Sequence, residues 1–136
     1  MTTKILSIIL LAGIGLTACK KEIAPKPVTT QDKLLGKWNL ITEVTNDYYG
    51  ALSHPHNYPF AAGDYMEFKS DGKVIQYNSG SSMTFDYGLI GDTKVWFILP
   101  SNLFDLKLLT GTDLQLYHKD IYSPTEYYES TLILKK

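Results

Sequence analysis

The chain reads as an all-β domain, an eight-stranded antiparallel up-and-down barrel with a short N-terminal helical turn. Eight short runs alternate apolar with polar residues, the links between them are mostly tight turns rich in Gly, Asp and Ser, and no helix-period segment interrupts them after Leu35. A meander of this kind leaves two open edges unless its first and last strands pair, and this favours closure. A two-sheet β-sandwich with Greek-key crossings fits the same strand count and stands as the alternative. With 136 residues, 44% of them hydrophobic and 12% aromatic, the chain holds enough apolar material for one core.

The elements follow in order. Gln31 to Leu35 reads as one helical turn, and Trp38 to Val44 as the first strand with Trp38, Leu40, Thr42 and Val44 on one face. Asn46 to Gly63 carries Gly50, Pro55 and Pro59, so it reads as a long loop. Asp64 to Lys69 and Lys73 to Asn78 form a hairpin about Ser70-Asp71-Gly72. Ser82 to Leu89 places Met83, Phe85, Tyr87 and Leu89 together, and Gly91-Asp92 turns into Lys94 to Leu99. Pro100-Ser101-Asn102 leads to Leu103 to Leu109, with Phe104, Leu106 and Leu108 aligned. Leu114 to His118 aligns Leu114, Leu116 and His118, and Glu126 to Leu134 is the eighth strand after a loop at Lys119 to Thr125.

Ahead of the barrel, residues 1–18 have a basic start at Lys4 and an apolar run from Ile5 to Leu16, the pattern of a signal peptide. That run spans roughly 18 Å as a helix, short of the roughly 30 Å of a bilayer core. Leu16-Thr17-Ala18-Cys19 closes it and resembles the lipobox of bacterial lipoproteins. The resemblance implies cleavage before Cys19, a diacylglyceryl thioether on its sulfur and acylation of the new amine. The expected location is thus the bacterial cell envelope, with the membrane as partner through the lipid. Lys20, where retention at the inner membrane favours aspartate, points to the outer membrane. Residues 19–33 read as a flexible tether, with Pro25, Pro27 and Thr29-Thr30 and no apolar period.

Leu34-Leu35-Gly36-Lys37-Trp38 opens the domain at residues 34–136: Gly36 permits a sharp turn, and Trp38 is suited to plug one end of the barrel. This Gly-x-Trp entry resembles the first conserved motif of lipocalins, and Thr112-Asp113-Leu114 lies where that family has a Thr-Asp turn. The match is to compact lipocalin-like domains of envelope lipoproteins. The Arg that lipocalins place over the Trp late in the barrel has no counterpart, and Lys135 and Lys136 occupy that end of the chain.

All 13 basic residues are Lys, which removes the side chain best suited to grip phosphate or guanine, so nucleic acid is not an expected partner. Cys19 is the single cysteine, leaving no disulfide and no second thiol. No glycine-rich phosphate loop or Gly-x-Ser-x-Gly is present, and Glu126 and Glu129 fall on opposite faces of their strand. Neither an enzyme nor a cofactor is expected. His54-Pro55-His56, with His118, could supply imidazoles, but no acidic residue completes the local triad, so no metal is expected. Alternate connections share one end of a meander, and that end gathers Tyr48, Tyr49, His54, His56, Tyr58, Phe60, Tyr122 and Tyr127. Two functions suit such a mouth. One is binding of a small apolar or amphipathic ligand in the barrel; the other is docking of a protein or glycan on tyrosine-rich loops over a filled barrel. The anchor is directly testable: Cys19→Ser should move the protein from the detergent phase to the aqueous phase on phase partitioning, and unchanged partition would refute lipidation.

Overall fold

The computed structural model describes residues 25–98 and 102–136. The expected signal peptide, Cys19, the start of the expected tether and residues 99–101 lie outside the described residues. A helix, α1 (Thr30–Leu34), precedes nine strand segments: β1 (Gly36–Tyr49), β2 (Leu52–Pro59), β3 (Tyr65–Phe68), β4 (Lys73–Asn78), β5 (Ser81–Ile90), β6 (Lys94–Phe97), β7 (Asn102–Leu109), β8 (Asp113–Ser123) and β9 (Glu126–Lys135). Consecutive segments pair antiparallel except β2 with β3, and β1 also pairs with β3 and, from Asn39↔Lys135 to Tyr49↔Glu126, with β9. That pairing closes the sheet and excludes the sandwich.

The nine segments fill eight positions around the barrel because β2 and β3 share one edge of β1. Residues Gly36 to Asn39 pair with β3, and Thr42 to Tyr49 pair with β2. The expected long loop at Asn46 to Gly63 is therefore mostly a hairpin, turning at Gly50-Ala51, where Gly50 has φ +63°. The Phe60 N–H donates to Ile41 O at 3.1 Å, so with period two Tyr58, His56 and His54 also direct their amides to β1. Pro55 and Pro59 fall on the other parity, facing the free edge, where a missing N–H costs the ladder nothing. Proline argues against a central strand, not against this one. Likewise the expected loop at Lys119 to Thr125 is strand as far as Ser123, and β8 and β9 meet at a tight turn.

Two bulges correct the expected faces. At Leu40/Thr42 the β1 register shifts by one residue against β9, so Trp38 and Leu40 face inward but Glu43 and Thr45 follow them, and Val44 turns out to solvent. A second shift, between Leu106 and Leu108, puts Leu109 opposite the buried Leu114 and leaves Leu108 exposed.

The closed end holds the core. Trp38 is fully buried, and its Nε1 donates to Leu34 O at 2.7 Å, which binds α1 to the barrel floor. Thr29 caps α1 in a reciprocal capping box with Asp32. Gln31 Nε2 donates to the Tyr87 hydroxyl at 2.7 Å, and that hydroxyl donates to Lys69 O at 2.8 Å. Lys136 stands over the Trp38 ring, its Nζ 4.4 Å from the centroid, and donates to Leu35 O and Lys33 O. A lysine thus covers the tryptophan and also satisfies carbonyls at the end of α1. Phe68, Val74, Val95, Leu114, Leu116 and Leu134 fill the space above. On the outside, Trp96 lies across Gly88 so closely that a Cβ there would come within 2.6 Å of the indole nitrogen.

Trp38→Ala should cost about 3–5 kcal/mol, as for other buried tryptophans. Urea unfolding of parent and variant measures it, and a cost below about 1 kcal/mol would remove Trp38 from the floor of the core.

Candidate functional site

Above the packed floor the barrel widens into a cup of about 230 Å³. Its walls are aromatic: Phe60, Phe85, Phe97 and Phe104, with Met66 and Leu132 between them. Phe97 makes edge contacts with Phe85 at 5.6 Å and with Phe104 at 5.4 Å between centroids, so the rings hold one another in place. Three polar side chains break the apolar lining: Glu43, Gln76 and Asn78. Gln76 and Asn78 also border a side hollow of about 180 Å³ against Ser81, Ser82 and Met83. They face inward because they continue the period of the buried Val74 along β4.

Glu43 reaches the cup through the β1 bulge. Its Oε1 accepts from Ser130 Oγ at 2.5 Å, and its register partner Leu132 lies beside it on β9. The Tyr128 phenol nearby is held above its ordinary value, first by burial and then by the negative charge of Glu43. His118 forms the next part of the rim. Its Nδ1 donates to Leu103 O at 2.9 Å, its ring lies 5.2 Å from Phe104, and its Nε2 is 3.0 Å from Asp120 Oδ1 without hydrogen-bond alignment.

The rim itself is pinned by Asp64. This buried carboxylate accepts from the Ala61 amide at 3.1 Å and the Ser79 amide at 2.9 Å, joining the β2–β3 link to the β4–β5 turn. Satisfied by backbone donors, it holds the entrance of the cup in one shape.

The eight mouth residues read from the sequence divide between two faces. Register carries the inward face of Glu43 onto β2 as Tyr58, His56 and His54, with Tyr49 and Leu52 at the tip. His54 packs against Tyr49 and His56 against Tyr58, at 6.2 and 6.0 Å between centroids. This hairpin rises above the cup as a lip, and all of β2 is exposed. Phe60 alone of the eight lines the cup. Tyr48 and Tyr127 stack on each other at 4.2 Å on the outer face, with Lys119 Nζ 3.7 Å from the Tyr127 ring. Tyr122 stands exposed at the register shift between Ile121 and Ser123. Among the described residues no group of three or more His, Cys, Asp and Glu could hold a metal ion.

Of the other cup residues, sequence reasoning aligned Phe85 and Phe104 on their strand faces but did not single out Glu43, Gln76 or Asn78. Glu43 was hidden by the bulge. Gln76 and Asn78, in phase with Val74, were a legible sign that the upper interior is not packed apolar. No family model, curated protein or solved structure matches the chain.

Because the Tyr128 pKa in the fold lies above its ordinary 10.0, its neutral form contributes stability that is present below about pH 10 and lost as pH rises through the folded value. Glu43→Gln should lower that pKa only part of the way, since burial is the larger cause. Tyrosine-selective carbon NMR across an alkaline titration would read it, and no change would separate the two groups.

Proposed function

We propose that this protein is a binding protein of the bacterial envelope, lipid-anchored at Cys19, that takes a small amphipathic molecule into the upper half of a lipocalin-like barrel. The observation that carries the reading is the cup: an aromatic-walled hollow with only three polar side chains, open toward the hairpin end. Sites of this make-up suit small ligands, with apolar walls for affinity and a few polar groups for orientation. Within that lining Glu43 is the single carboxylate, held by the Ser130 hydroxyl, and it suits orienting a bound ligand.

The described part of the tether enters α1 at the barrel floor beneath Trp38, the end opposite the cup, so with a lipid anchor at Cys19 the cup would face the aqueous side and draw its ligand from there. An outer-membrane position follows from Lys20 after the lipobox. The lipocalin likeness rests on Gly36, Trp38 and the closed eight-position barrel, with Lys136 over the indole in the place of an arginine.

A second reading is favoured by the lip, where Tyr49, Leu52 and Tyr58 are more than half exposed. Such a surface suits docking of a protein or glycan. One experiment separates the two. An apolar fluorescent probe should bind the parent, lose at least about tenfold in affinity in Gln76→Phe, which fills the cup, and bind almost unchanged in the double variant Tyr49→Ala, Tyr58→Ala. A parent that binds no probe would give preference to the docking reading.

A further inference from the structure

We propose that the cup selects protonated amines: an alkyl or aryl group among the four phenylalanines, with the cationic nitrogen on Glu43. The inference rests on the ligand-binding reading above and names the chemistry of its ligand.

Charge is segregated in this barrel. Every lysine of the described strands and turns is engaged outside the cup. Lys37, Lys107 and Lys119 lie over Tyr65, Tyr117 and Tyr127, and Lys69, Lys73, Lys94 and Lys135 face Glu67, Asp86, Asp105 and Asp113. Lys136 is spent on Trp38 at the opposite end. Glu43 is therefore the one formal charge that lines the hollow, and among the described residues no cation pairs with it.

Its hydrogen bonding is half complete. Oε1 takes the Ser130 hydroxyl, a neutral donor, and a carboxylate accepts more than one. The walls it shares are the rings of Phe60, Phe85, Phe97 and Phe104, and aromatic faces attract cations and repel anions. The inward face above Glu43 continues the same sign through Asp47 on β1 and Asp120 on β8, both in register with Tyr128. An entering carboxylate would meet three like charges, whereas an ammonium would meet a charge-assisted hydrogen bond and aromatic walls. At about 230 Å³ the cup is below the roughly 300–1,000 Å³ of drug-sized sites, so a two-chain lipid does not fit and a single short chain or ring does.

The test compares one chain with three head groups on the full protein. Calorimetric titrations with n-hexylamine, hexan-1-ol and hexanoate at about pH 8, where the alkylamine is protonated, make the comparison. The amine should bind at least about tenfold tighter than the alcohol, and hexanoate weakest, as expected for one hydrogen bond to a charged group. Glu43→Gln keeps a partner for Ser130 and should bring amine and alcohol to within about twofold while leaving the alcohol almost unchanged. The parent series stands by itself if that variant does not fold. An alcohol that binds as well as the amine, or a carboxylate that binds best, would overturn the amine inference and leave the ligand-binding reading intact. If none of the three binds and the apolar probe also fails, both fall together.

Discussion

The closure between β1 and β9 is the constraint on which the other features depend. It gives one fourteen-residue strand three partners, β9 along one edge and β3 then β2 along the other. The bulge at Ile41 falls where the partner changes from β3 to β2, adding a residue and increasing the local twist. Below it, β1 belongs to the packed floor with β3; above it, β1 belongs to the lip with β2. The same extra residue turns Glu43 inward. A geometric need of the backbone and the chemistry of the cup thus share one cause.

The interior is graded along the barrel axis. Near α1 it is a dry core in which each buried polar group has a partner: Trp38 Nε1 on Leu34 O, Tyr87 between Gln31 and Lys69. Toward the lip, ring contacts continue upward from Phe68 through Phe97 to Phe104, tilted in the first pair and edge-to-face in the second, but the spaces between them are no longer filled by aliphatic side chains. Eight strand positions leave an interior that side chains can just fill, so a few medium-sized polar residues in place of Leu or Phe suffice to open it. Asp64, tied to two backbone amides, keeps that opening from collapsing.

Much of the fold was legible in the sequence because period two and turn chemistry are local properties. Trp38, Phe85, Tyr87, Leu114 and Leu116 took the faces expected of them. What alternation cannot show is a register shift, which depends on the partner strand. Val44 and Leu108 both lost their inward phase to bulges, and the candidate site changed most because Glu43 gained it. Pro55 and Pro59 misled for a related reason. Proline marks a loop only where its missing amide is needed, and on β2 each faces the unpaired edge. Tyr48, Tyr49 and Tyr127 lie together at the hairpin end, and the face each takes is set by strand register, which the sequence does not carry.

The span of the closing pair also shapes how the chain reaches this state. Asn39 and Lys135 lie 96 residues apart, yet they join the same two strands, so the seam forms only after nearly the whole domain has been synthesised. Until then the fourteen residues of β1 have no partner on that side, and local hairpins such as β4 with β5 assemble first. Loop-closure entropy makes so distant a pairing slow relative to helical folds of equal size. During that interval the exposed flank of β1 is the part of the molecule most open to pairing with the wrong chain.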